Sequence, residues 1–292
     1  MARSIRGDRA ISLYIKERKS MDKHLVSKKL RSGSFLCAAL AACAEILSVL
    51  AFYDKAANYF DHNALLPTVA VALALLGSAL GIASAILTAS DALGEDIFSE
   101  KISLSPAAIG FLTAALFAVL YCTKTVRPII GLLAALLLIC GLAFSIFSSL
   151  PRLRQSKSLT ALLGMLAVLG TILLNAYYYF DVSLEMNAPF KLTTQMGLLC
   201  TTLYLTGEIR FLLGTQKPRL FLAISTTLIS VGSLCSLSLL VAFLLGKTDR
   251  GDYVAGSLLV FCMMLTAIIR IRTLLPQEEE IDPDDETVEV EE

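Results

Sequence analysis

The chain has no tryptophan and only two histidines, His24 and His62, both outside its apolar runs. Membrane-depth chemistry is thereby deprived of the commonest metal ligand and the commonest general base. Seven cysteines (37, 43, 122, 140, 200, 235 and 262) form no CxxC pair, so neither a zinc site nor a disulfide framework is expected, and they read as small hydrophobes. Charge is scarce too: 17% of residues are charged against 56% hydrophobic, and the mean hydropathy is +0.71. A soluble domain wrapped around one core would carry more charge on its surface.

Motifs that would announce catalysis are missing as well. No GxxxxGK, GxGxxG, HExxH or GxSxG occurs, which leaves no phosphate cradle, dinucleotide turn, zincin helix or nucleophile elbow. Asp54, Asp61 and Asp181 fall at the ends of apolar runs, where an acid is solvated rather than paired across a protease site. Enzyme is the disfavoured class, and no cofactor or metal is expected. The first 31 residues lack the apolar core and cleavage site of a secretory signal, so no segment is expected to be removed.

What is present is an alternation of apolar runs and short polar connections. Eight runs are each near the ~20 residues that cross ~30 Å of hydrocarbon: 33–53, 65–89, 104–122, 128–150, 159–180, 192–213, 219–246 and 254–275. The predicted fold is an all-α polytopic transmembrane bundle of eight spans. The expected divisions are a basic segment 1–31, helices 1–4 over 32–150, helices 5–8 over 151–275, and an acidic disordered tail 276–292.

The formal net charge of +0 conceals an asymmetry, because residues 1–31 hold ten bases against three acids and 276–292 hold ten acids and no base. In residues 9–30, Ile11, Tyr14, Ile15 and Leu25 recur at roughly helical spacing among lysines, a pattern suited to an interfacial helix on anionic lipids. The positive-inside rule alone accounts for the same charges. Seven of the nine tyrosines (53, 59, 121, 177, 178, 179 and 253) collect at the opposite ends of the runs, where only six bases fall. Both features predict cytoplasmic termini.

Two internal matches predict a duplication. Lys124, Thr125 and Arg127 fall on Lys247, Thr248 and Arg250 at one offset, and Asn63-Ala64 on Asn187-Ala188 at nearly the same one. Two units of four spans would be parallel repeats related by an axis along the membrane normal. Gly77 and Gly81 form a GxxxG, which predicts close helix packing.

The stretch from Asn175 to Gly214 joins two spans through a Tyr and Phe cluster and a loop in which Asn187 and Pro189 are expected to break the chain before a span begins near Leu192. Phe180, Asp181, Ser183, Met186, Asn187, Pro189 and Lys191, followed by Glu208 to Gly214, resemble a group of uncharacterised multi-pass membrane proteins of anaerobic Gram-positive bacteria. That resemblance implies a bacterial plasma membrane and no particular activity.

Polar residues within the spans supply the candidate site. Glu45 lies 12 positions into a run starting at Gly33, near the bilayer midplane, where an acid is expected to face the bundle interior. Ser48, Thr171, Asn175 and Thr201 are its candidate partners. Glu208 and Arg210, two residues apart, point ~200° from each other on a helix, so Glu208 is predicted to turn inward to a base or hydroxyl and Arg210 to anchor at the headgroups. Two functions follow as expectations: transport of a small solute or ion through a site at Glu45, with Asn175, Thr201 and Glu208, or a non-catalytic membrane subunit, sensor or scaffold whose charged tails bind a soluble or membrane protein partner. The expected surroundings are the lipid bilayer, with anionic lipids at the N-terminal segment and no nucleic acid.

Overall fold

The computed structural model describes residues 2–55, 57–61, 64–88, 93–94, 96–98, 104–122, 128–185, 188–215 and 217–275, with side chains from Lys23 onward except 24, 104, 105 and 122. His62, Asn63, Asn187, the 123–127 connection and the acidic tail 276–292, on which parts of the sequence reading rest, lie outside the described residues.

The elements in chain order are α1 (Ala2–Phe52), a hairpin of β1 (Tyr53–Asp54) and β2 (Tyr59–Phe60), α2 (Leu66–Leu87), α3 (Leu104–Phe117) running into a π-helical segment Ala118–Cys122, α4 (Pro128–Ser149), the short α5 (Pro151–Arg154), α6 (Lys157–Tyr179), α7 (Pro189–Leu212), α8 (Pro218–Leu244) and α9 (Gly251–Leu274). Among the described residues, six helices are long and apolar enough to cross a membrane: Leu25–Phe52 within α1, then α2, α4, α6, α8 and α9. The chain is a multi-pass helical membrane protein. Eight runs were expected to cross, but α3 offers only the shorter apolar stretch Pro106–Tyr121, and α7 is diluted by Thr, Gln, Lys191, Glu208 and Arg210.

The peripheral helix α2 sorts its side chains by size. On α2 the buried side is Ala70, Ala74, Gly77, Ser78, Gly81, Ser84 and Ala85, while Leu75, Leu76, Ile82 and Ile86 are exposed. Small residues inward and large ones outward are what a lipid solvent selects, since association there comes from close backbone approach rather than from escaping water.

Local sequence sets the ends. Proline occupies the first turn of α2, α5, α7 and α8, where its fixed φ is preorganised and its missing N–H would have had no partner. Pro189 therefore starts α7 and does not interrupt the chain before it, a correction to the span start expected near Leu192. Gly214 and Gly246, at φ 74° and 66°, end α7 and α8 in paired turns: Thr215 N–H reaches Arg210 O at 3.0 Å and Lys247 N–H reaches Ala242 O at 2.8 Å. That closure needs the left-handed conformation glycine adopts freely.

In the N-terminal half, the basic segment and the first span form one continuous helix, Ala2–Phe52. The first connection pairs Tyr53 with Phe60 and Asp54 with Tyr59 as a minimal antiparallel hairpin.

The bundle has a hairpin end, which carries β1–β2, and a tail end, where α9 finishes. α8 and α9 are central: 61% and 72% of their apolar windows are buried, against 39–44% for the other four candidate spans. α8 packs against α1, α2, α7 and α9, and a ring of α9, α3, α4, α6 and α7 closes beside it. This packing departs from a twofold relating helices 1–4 to 6–9. Such an axis would turn the extensive α2–α8 contact into an equal one between α7 and α3, and those two are not substantially packed among the described residues.

The GxxxG is where three helices meet. A Cβ at Gly77 would come within 2.9 Å of Ser230 Oγ, and one at Gly81 within 2.4 Å of Thr226 Oγ1. Short hydroxyls line the same seam: Ser34 Oγ donates to Gly77 O at 2.7 Å, Ser233 Oγ to Ala38 O at 3.0 Å, and the Ser27 and Thr88 hydroxyls lie 2.7 Å apart.

Candidate functional site

Glu45 lies on the buried side of α1, 3% exposed, and its Oε2 finds no hydrogen-bond partner among the described residues. Its surroundings are small and apolar: Ala41, Ala44, Ala70, Ala74, Leu234 and Cys235 form one buried cluster at that level. Cys235 of α8 is in electrostatic reach of both Glu45 and Cys200. Because α1 ends at Phe52, Glu45 stands seven residues, ~10 Å at the helical rise, from the hairpin end, closer to that end than the midplane position expected.

The partners expected for Glu45 are elsewhere. Ser48 Oγ donates to Ala44 O at 2.7 Å, and the Thr171 hydroxyl pairs with that of Thr202 at 2.9 Å. Asn175 Oδ1 on α6 and Thr201 Oγ1 on α7 are buried and without partners among the described residues, like Glu45 Oε2. Neither is bonded to Glu45: Asn175 belongs to α6, which packs on α4 and α7, and Thr201 to α7, which like α1 packs on α8. The sequence had no means of stating these helix neighbours.

Glu208 is the centre of a different constellation, at the tail end. Its Oε1 accepts from Arg270 Nε at 3.1 Å and from Tyr204 OH at 3.0 Å. Arg270 also donates through Nη1 to Ile97 O at 2.7 Å and stacks over the Phe98 ring at 4.5 Å. This fastens the 93–98 segment under the bundle, with Gly94 N–H on Leu274 O at 2.8 Å and Arg154 on Asp96 at 3.1 Å. A cleft of ≈ 480 Å³ lies alongside, lined by Phe98, Arg154, Gln155, Lys157 and Phe211 among others. Arg210, by contrast, is half-buried, and its Nε makes only a long bond to Thr215 O at 3.4 Å. Sequence reasoning missed Arg270. The signal was depth, since Glu208 lies four residues before the end of α7 and Arg270 four before the end of α9.

The third polar centre, also missed, is at the hairpin end. Arg250 pairs with Asp181 and with Asp252 (Nη2 to Oδ2, 2.7 Å) and donates to Ser183 Oγ at 2.7 Å. Tyr253 OH donates to Asp181 Oδ2 at 3.1 Å, and Tyr178 stacks on Tyr253 at 4.5 Å while donating to Asp252 O at 2.8 Å. Burial raises the Asp181 pKa, but the hydrogen bonds from Ser183 and Arg250 outweigh it and hold the carboxyl below its ordinary value. Burial likewise works against the Arg250 charge, and the Asp252 and Asp181 carboxylates more than reverse it. Lys191, 1% exposed, sends its ammonium to the carbonyls of Asp181 at 2.5 Å and Leu184 at 3.2 Å, tying the 181–185 loop to the first turn of α7.

Chemically, the two end clusters are saturated: each charge faces a countercharge or carbonyls. Among the described residues Glu45 is the exception, a buried carboxyl with an uncommitted oxygen. Comparison with known protein families, with curated proteins and with solved structures finds no match for this chain.

Proposed function

We propose that this protein is a transporter or permease for a small solute or ion, with Glu45 as its buried polar site. The observation that carries the reading is the Glu45 carboxyl, 3% exposed and with Oε2 unpartnered among the described residues. An acid is expensive at that depth and persists where it has a use or a partner. The paired state of the other interior charges makes Glu45 stand apart. Glu45→Gln keeps the shape and removes the exchangeable charge; reconstituted into vesicles, this variant is expected to lose pH-dependent solute or proton flux. Unchanged flux and pH profile would reduce Glu45 to a packing residue.

In this proposal α3 and α7 cross the bilayer together with the six long apolar helices. α7 can do so because Glu208 is neutralised by Arg270 and Lys191 by carbonyls, and α3 with its π-helical segment is long enough. Eight crossings return both termini to one side. We place that side in the cytoplasm of a bacterial cell, at the plasma membrane. The four described bases at the hairpin end, Lys55, Lys191, Lys247 and Arg250, are all engaged by carboxylates or carbonyls, so they weigh little against a basic tail end.

A second reading is favoured by α1. Ser27 stands opposite Thr88, just past the end of α2, so the basic N-terminal part of α1 continues as helix beyond its neighbour. Such an extension suits a membrane subunit or scaffold that docks a protein partner. Co-purification that depends on residues 2–22, with no flux in vesicles, would favour it.

A further inference from the structure

Between α7 and α8, at the tail end, lies an apolar groove of ≈ 170 Å³ walled by Leu203, Gly207, Leu220 and Ile224, with Arg210 and Lys217 at its rim. It opens towards the lipid face, where Leu203 is 57% and Leu220 46% exposed. Thr206 borders it, but its hydroxyl is committed to Thr202 O at 2.8 Å. Gly207 shapes the floor: a Cβ there would stand 2.9 Å from the Phe221 ring, so only glycine lets that ring lie so close.

Neither rim base meets a carboxylate among the described residues. Arg210 Nε has its long bond to Thr215 O at 3.4 Å, and the Lys217 side chain has no hydrogen bond or ion pair among the described residues. Glu208, the neighbouring acid, is turned inward to Arg270. Of the other tail-end arginines, Arg154 is held by Asp96 and Arg219 by Thr88 O at 2.7 Å. We propose that this groove is a binding site for one anionic phospholipid, its acyl chain against the apolar walls and its phosphate between Arg210 and Lys217. The charge complementarity is specific to that class: a zwitterionic headgroup brings its own cation to the two bases, and a soluble anion has no use for the apolar wall. The assignment is independent of what Glu45 does.

The absence of tryptophan from the chain supplies a site-specific reporter. Leu203→Trp places an indole on the groove wall. Met165→Trp places one on the exposed face of α6 at a similar distance from the tail end, since Leu203 precedes the end of α7 by nine residues and Met165 follows the start of α6 by eight. The full-length variants are reconstituted in phosphatidylcholine vesicles containing a minor fraction of acyl-brominated phosphatidylglycerol, or of acyl-brominated phosphatidylcholine as control. The groove reporter is expected to be quenched by the anionic lipid well beyond its mole fraction, with a relative association constant on the order of tenfold or more, as two bases at roughly fivefold each allow. The α6 reporter should follow the mole fraction. Adding Arg210→Gln with Lys217→Gln should bring the groove reporter down to the α6 curve, whereas Arg152→Gln with Lys157→Gln, which removes two exposed bases at the same end, should leave it high. Equal quenching of the two reporters, or an excess in the groove that survives the Arg210/Lys217 double substitution, would overturn the proposal.

Discussion

Arg270 of α9 and Glu208 of α7 form an ion pair in which each side chain is only 3% exposed, Nε to Oε1 at 3.1 Å. A buried pair of this kind is costly to break from one side, because the survivor keeps its desolvation without its partner. The pair also shares its members: Tyr204 donates to the same Glu208 oxygen, and Arg270 holds Ile97 O.

Single neutralisation should therefore destabilise strongly. Arg270→Met or Glu208→Leu is expected to lose about 3–5 kcal/mol, while the double variant should recover a large part of the loss. Thermal unfolding in detergent of all four proteins gives the coupling energy, and a value near zero would mean that the pair does not act as a unit.

Acid should loosen the hairpin end through Asp181. Its folded pKa lies below the ordinary one, so its contribution to stability is complete above the unfolded value of about 4 and is lost as pH falls through the lower folded value. Melting temperatures between pH 6 and pH 3 should drop on the acid side, and Asp181→Asn should flatten that drop at the expense of stability near neutrality. An unaltered acid slope in the variant would assign the drop to other carboxyls.

The GxxxG seam should tolerate no added methyl at its tightest point. Gly81→Ala would press on Thr226, whose Cβ would stand 2.6 Å from the new atom, and is expected to cost about 1–3 kcal/mol. Gly33→Ala would meet Leu80 at an ordinary 3.4 Å and should be neutral. Limited proteolysis or thermal melts rank the two, and equal effects would contradict the packing.

Orientation is open to thiol labelling. Asp249 and Ser156 are exposed at opposite ends of the bundle. In intact cells, Asp249→Cys should react with an impermeant reagent and Ser156→Cys should not. The converse pattern would invert the protein.

How much of this was legible in the sequence differs by scale. Long helices were readable because an apolar run near 20 residues has few alternatives in a chain this poor in charge; the run 128–150 became Pro128–Ser149 and the run 159–180 became Lys157–Tyr179. Helix partners were not readable, because on α2 or α4 nearly every position is apolar and no face is marked by polarity. Size marked it instead, with Ala, Gly and Ser inward. Leu93, Ile97 and Phe98, all buried, were hidden in a polar connection with no helical period. The inward turn of Glu208 follows from its depth, but that Arg270 receives it depends on α7 and α9 being neighbours, a tertiary fact.

The loops at the hairpin end are laced to one another: Lys55 to Asp249, Tyr59 to Glu185, Arg250 to Asp181, and Lys247 to the final carbonyls of α1 at Val49 and Leu50. Were that end held as a fulcrum, helices separating from one another would open as the ribs of a fan, with displacement growing along their length. A tilt of ~5° about the pinned end of α7, a helix of 24 residues and so ~36 Å long, carries its far end by ~3 Å. The leverage falls where Glu208 meets Arg270.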